Sequence, residues 1–163
     1  MAFQIRHVTD SDRNAVMDIF NYYIENSFAA FFEKKLGYDS FEPMKQLAYG
    51  DAFYVIEDNG RQVIGFGLLK RFHPSEVFNH AAELGYFIKP DYTVRGLGTL
   101  LLAQLIQDAK KMNIRVLLAG ISSLNEKSVE FHKKHGFFEC GRFQGIGQKR
   151  GEIFDLVWMQ NFI

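Results

Sequence analysis

The spacing of apolar and polar residues changes several times along the chain, and each change marks an element. Phe3 to Val8 alternates, which predicts a short strand. Thr9 and Asp12 then stand at capping-box spacing. Val16, Ile19, Phe20, Tyr23 and Ile24 follow with helical periodicity and predict a helix over about residues 11–26. From Asn26 to Phe41 the aromatic residues (Phe28, Phe31, Phe32, Tyr38, Phe41) have no clean period. This segment reads either as a loop over the core or as one wall of a substrate pocket. A short helix is expected after Pro43. Residues 52–56 and 62–70 read as strands, and Asn59-Gly60 between them signals a tight hairpin. A polar connection, 71–81, leads to a strand over 82–89 that Pro90-Asp91 closes.

Leu97, Leu101, Leu105, Ala109 and Met112 mark the buried face of a central helix. The compact apolar run 115–121 suits a buried strand. Asn125 opens a second short helix that runs to His135 and ends at Gly136. Residues 137–143 and 153–160 read as a final antiparallel pair, joined through the Gly-rich segment 145–151. Strands followed by helices at two places imply parallel crossovers, and the hairpins imply antiparallel pairs. The expectation is an α/β (α+β) chain with a mixed, mostly antiparallel central sheet and helices on both faces.

Length and composition narrow this picture. A chain of 163 residues without a Ser/Gly-rich linker is expected to form a single domain, 1–163. Seventeen Phe residues point to a large core, a lined pocket or a subunit interface. The formal net charge of zero disfavours nonspecific nucleic-acid binding. One cysteine excludes an internal disulfide framework and a multi-cysteine metal site, and fits a reducing cytoplasm. The N-terminus does not read as a signal peptide, and no apolar run is long enough to span a membrane.

The chemistry concentrates between Ala82 and Met112, where a strand passes through Arg95-Gly96-Leu97-Gly98 into the central helix. The first N–H groups of a helix lack intrahelical partners, and the helix dipole adds positive charge there. Glycines allow close backbone approach, so the turn suits a phosphate. Two nucleotide motifs fail. A dinucleotide fingerprint needs glycine where Leu101 stands and an acid near Leu117-Leu118-Ala119. A P-loop needs lysine before the hydroxyl residue, whereas the chain reads Gly98-Thr99-Leu100.

Taken with Asn125, Ser128, Phe131, His132, Gly136 and Phe137, Gly96 and Gly98 resemble the two motif blocks of the GNAT superfamily of acyl-CoA-dependent N-acetyltransferases. Thr93 departs from the Gln/Arg usual at its position. The resemblance extends to the phosphinothricin acetyltransferase-like branch through Ile5-Arg6, Asn21-Tyr22-Tyr23-Ile24, Phe32-Glu33, Glu83, His132, Gly147-x-Lys149, Gly151, Asp155 and Gln160. Ile153 replaces an aromatic residue usual in that branch.

The resemblance implies a sheet whose central strands splay apart to receive acetyl-CoA, with a small-molecule primary amine, of the amino-acid or phosphinothricin/methionine sulfone type, as acceptor. It places the CoA pyrophosphate on Val94, Arg95, Gly96, Leu97, Gly98 and Thr99. The thioester would lie near Tyr86, Phe87 and Ile88, with Asn125 and Ser128 beside the CoA arm. A protonated amine cannot attack, so a base is needed. Glu83, the one carboxylate in the central strand, is assigned that role. His132 or Tyr86 would protonate the leaving thiolate. Phe32, Arg71, His73 and His80 are candidate acceptor residues, and no metal site is expected. The branch also implies a homodimer. Two alternatives stay open: acetylation of protein N-termini or lysines, and a catalytically silent acyl-CoA-binding module.

Overall fold

A computed structural model describes residues 3–163. All strands join one seven-stranded sheet in the order β1-β2-β3-β4-β5-β7-β6. They are β1 (Gln4–His7), β2 (Ala48–Glu57), β3 (Val63–Arg71), β4 (Ala81–Ile88), β5 (Val116–Ser122), β6 (Phe138–Lys149) and β7 (Glu152–Phe162). Only β4 and β5 pair in parallel; every other neighbouring pair is antiparallel. The helices are α1 (Arg13–Asn26), α2 (Phe41–Gln46), α3 (Leu97–Lys111) and α4 (Glu126–Lys134).

Two apolar layers follow from strand alternation, because successive side chains point to opposite faces. On one face Val16, Met17 and Ile19 of α1 and Phe41 of α2 pack on Phe53, Val55, Phe66 and Leu68. On the other, Leu97, Leu101, Leu102, Leu105 and Ala109 of α3 pack on Tyr54, Ile64, Leu84, Leu117 and Val157. The mixed sheet with helices on both faces is the expected one. At the start of α1 the Thr9 N–H donates to Asp12 Oδ2 at 2.8 Å, as the capping-box spacing predicts. Asp12 is also gripped by Arg6, which reaches Glu57 at the end of β2.

The structure refines three local expectations. The hairpin that Asn59-Gly60 signals does form: β2 and β3 pair antiparallel, joined by the loop 58–62 rather than by a two-residue turn. Glu57 pairs with Val63, and Asp58 Oδ1 accepts from the N–H groups of Gly60 and Gln62, so Arg61 takes the left-handed conformation at φ 61°. The two-residue turn with both φ positive lies instead at Arg150 (51°) and Gly151 (78°), between paired Lys149 and Glu152. The Gly-rich segment 145–151 is therefore mostly strand: β6 runs through it to Lys149. The second crossover, β5-α4-β6, does not make a parallel neighbour, because β7 folds back between those two strands.

Candidate active site

The site opens where the sheet loses one ladder. β4 and β5 are paired only at Ala81–Val116, Ala82–Leu117 and Glu83–Leu118. Beyond Glu83, β4 stays with β3 as far as Ile88, and β5 stays with β7 as far as Ser122. The two central strands therefore part in a V with Glu83 at its apex. Strand alternation says which main-chain groups face the gap. The His80 carbonyl points to β5, accepting from the N–H groups of Arg115 and Val116, while the Lys89 N–H points to β3, donating to Ile64 O at 2.8 Å. Leu84, Tyr86 and Ile88 thus direct their main-chain groups into the V, and Phe87 directs its own to β3. The Ile88 carbonyl accepts from the Tyr23 hydroxyl across the mouth.

The V leads to the turn before α3. Val94 and Gly96 hold φ of 57° and 78°, bending the chain so that Gly96 sits at the N-cap. Leu97 is buried and anchors the first turn. A Cβ added at Gly85 or Gly96 would meet no heavy atom within 4 Å, so there is open space beside both backbones. At Gly98 the same atom would touch the Phe131 ring at 3.4 Å. The first-turn N–H groups and this space form a cradle for an anion at the positive end of a fifteen-residue helix. Arg95 lies over the Tyr92 ring at 5.2 Å. The chain thus offers an unpaired strand edge and, next to it, a helix N-terminus beside open space.

On the α3 face of β4, the Tyr86 hydroxyl lies 2.7 Å from His132 Nε2. His132 Nδ1 lies 2.7 Å from the Ser128 carbonyl, which can only accept, so Nδ1 carries the proton. Nε2 is bare and accepts from Tyr86. Burial pushes His132 below the ordinary imidazole range and keeps it neutral, and burial pushes the Tyr86 phenol well above its ordinary range. Asn125 opens α4 as its sequence predicts, its Oδ1 accepting from the Ser128 N–H at 3.3 Å.

Glu83 faces the opposite side, toward α1, where Lys70 Nζ donates to it at 3.0 Å. Strand alternation puts Gly120, Trp158, Leu156 and Phe154 on this same side. Leu156 and Phe154 continue into a cavity of about 290 Å³ with Phe31, Phe32, Glu33 and Lys149. Phe32 therefore lines a pocket, but Arg71, His73 and His80 do not join it. Arg71 lies across the sheet with its guanidinium over Tyr49 at 4.4 Å and donates to Asn79. His73 accepts from the Ser75 N–H and stacks beside Phe78, and the His80 main chain caps the closed end of β5.

Sequence reasoning missed Lys70, Trp158, Lys149 and His135. Lys70 could have been found by pairing 62–70 against 82–89; the others depend on contacts between distant segments. The Lys149 ammonium is buried and donates to the carbonyls of Ser27 and Ala30, both at 2.8 Å. Desolvation pulls its pKa down from the ordinary lysine value.

Comparison with known proteins agrees with this geometry. Residues 16–137 match the Acetyltransferase (GNAT) family. The L-methionine sulfoximine/L-methionine sulfone acetyltransferase of Pseudomonas aeruginosa is 28% identical, over 98% of this chain and 94% of its own. The phosphinothricin N-acetyltransferase of Streptomyces viridochromogenes is 26% identical, over 98% and 87%. Among solved structures, ribosomal-protein-alanine N-acetyltransferase from Brucella melitensis superposes with a TM-score of 0.89 at 34% identity, covering 98% of this chain and 99% of that one. The Salmonella typhimurium protein yncA, solved with its cofactor acetyl-CoA, gives 0.89 at 27%, covering 99% and 94%. With a family match that spans both the V and the turn before α3, the chain belongs to the GNAT family of acetyltransferases.

Proposed function

We propose that the protein transfers an acetyl group from acetyl-CoA to the primary amine of a small amino acid or analogue, with Glu83 as general base. The observation that carries this reading is the V itself: a carboxylate at its apex faces α1, while the Tyr86–His132 pair faces α3. Acetyl-CoA supplies an activated acyl group and a thiolate leaving group. The α3 turn, from Val94 to Thr99, holds its pyrophosphate. Main-chain groups of Leu84, Tyr86 and Ile88 hold the arm, and the Asn125 amide adds a donor. The N–H groups of Tyr86 and Ile88 are the candidates for stabilising charge on the acyl oxygen.

The acceptor enters from the α1 face, past Phe32 and the cavity beneath it. Glu83 takes one proton from the ammonium, directly or through water, and the freed nitrogen attacks the acyl carbon; as the C–S bond breaks, the nitrogen gives its second proton to water and the neutral amide forms, while solvent restores the proton that Tyr86 gives up. Lys70 Nζ, 3.0 Å from Glu83, orients its carboxylate. The thiolate takes a proton from the Tyr86 hydroxyl, because the bare Nε2 of His132 has none to give. The branch also supports a homodimer working in a reducing cytoplasm, for which exposed Phe143, Ile146, Ile153 and Phe162 on β6 and β7 offer apolar surface. Native mass measurement tests that assembly.

Release of CoA thiol with a panel of amines tests the activity. Methionine sulfone, methionine sulfoximine or phosphinothricin should give turnover. Turnover with peptides alone would favour the reading suggested by the Brucella melitensis relative, and binding without release would favour a silent acyl-CoA module. Glu83→Gln should keep acetyl-CoA binding and lose about 10²–10⁴-fold in turnover, with the loss shrinking at high pH.

A further inference from the structure

The end of α4 touches the anion cradle through a histidine that the reaction leaves unused. His135 Nδ1 lies 2.8 Å from the Phe131 carbonyl, and its Nε2 lies 3.0 Å from Thr99 Oγ1 in the first turn of α3. Its ring also packs on Phe131 at 4.2 Å between centroids. A carbonyl only accepts, so Nδ1 carries the proton in the neutral ring. The bare Nε2 must then accept from the Thr99 hydroxyl, whose hydrogen is turned away from the cradle. Protonation reverses that bond. Nε2–H donates to Thr99 Oγ1, the hydroxyl hydrogen is released, and a positive charge appears beside the turn.

We propose that His135 is a proton-linked positioning residue that tightens the grip of the α3 turn on the acyl-CoA pyrophosphate when it is protonated. The inference rests on the phosphate-binding reading of that turn. Protonated His135 frees Thr99 to donate to a phosphate oxygen and adds attraction across a short distance. The charged side chains around it are mostly cationic and oppose the change, which a bound phosphate favours. Lys133 and Lys134 share its helix, with Glu130 paired to Lys133. Neutral His132 is within electrostatic reach. Arg95 lies in the turn before α3, the first turn of α3 holds no acid, and β7 presents neutral Asn161 to the His135 carbonyl. Histidine is the side chain that ordinarily changes charge between about pH 5 and 8. The gain in affinity is present when His135 is protonated and absent when its ring is neutral.

Dephospho-CoA is the suitable probe, because the 3′-phosphate of CoA itself ionises near about pH 6. Calorimetric titration into the full chain should show wild-type affinity about tenfold tighter near pH 5.5 than near pH 8. His135→Gln should bind with most of that pH dependence gone, and Thr99→Val should lose part of it. A pH dependence in His135→Gln equal to that of the wild type overturns the proposal. Gly98→Asp, which places a carboxylate in the cradle, should abolish binding at both pH values. Unchanged affinity in that variant would remove the phosphate from the turn, and the proposal with it.

Discussion

Tyr86 carries two duties that a single substitution separates. Its main chain belongs to the strand edge, and its hydroxyl, 2.7 Å from His132 Nε2, is the proton source in the proposed mechanism. Tyr86→Phe keeps the first and removes the second. Its kcat should fall by about 10- to 100-fold while KM for acetyl-CoA changes little, read from steady-state rates across pH. An unchanged kcat would give the protonation step to water. His132 also makes a stability prediction. Its native pKa lies below the ordinary imidazole value of 6.5, so the unfolded chain binds more protons than the native one near that pH. Stability from this site is complete above the unfolded value and is lost as pH falls below it toward the native value. The melting temperature of the wild type should therefore drop more steeply between about pH 7 and pH 5.5 than that of His132→Asn.

Among the elements, helix periodicity was the most legible part of the chain. Leu97, Leu101, Leu105 and Ala109 lie buried on α3 as their spacing predicts, and Met112 is only partly covered. The turn before α3 was legible too, because Gly96 takes a positive φ that few residues adopt cheaply. Hairpin ends were not. Asn59-Gly60 has the right letters, but the Asp58 side chain captures two N–H groups and sets a different turn. Glycines at 145–151 suggested a loop because the sequence does not announce what packs against them. Gly147 is inside β6 with the Phe154 ring where its Cβ would stand, 2.2 Å away. Gly147→Ala should destabilise by about 1–3 kcal/mol through overpacking, lowering the melting temperature by at least about 2–4 °C. Ile153→Ala, an exposed neighbour, should change it little.

For the whole molecule, the faces of the sheet decide which candidate residues meet. Glu83 and Phe32 fall on the α1 side and Tyr86 and His132 on the α3 side, flanking the V. Arg71, adjacent to Lys70 in sequence, falls on the wrong side for the acceptor because strand neighbours point oppositely. The order of residues identifies the chemistry but not the register that sorts it onto faces. That register comes from the ladders of β4 with β3 and with β5, the second joining segments about thirty-five residues apart.

The Lys149 and Arg150 contacts carry a further consequence, for how the molecule breathes. Lys149 holds the carbonyls of Ser27 and Ala30, and Arg150 holds those of Glu25 and Ser27. Phe28 and Phe31 pack on Phe154. The tip of the β6–β7 hairpin and the segment after α1 therefore open as one cooperative unit, more than a hundred residues apart in the chain. In Lys149→Met, amide hydrogen exchange should quicken by a similar factor at 27–31 and 145–154 and stay unchanged in β2 and β3. Since the cavity proposed for the acceptor lies between these segments, the same opening would set how fast an acceptor enters and its product leaves.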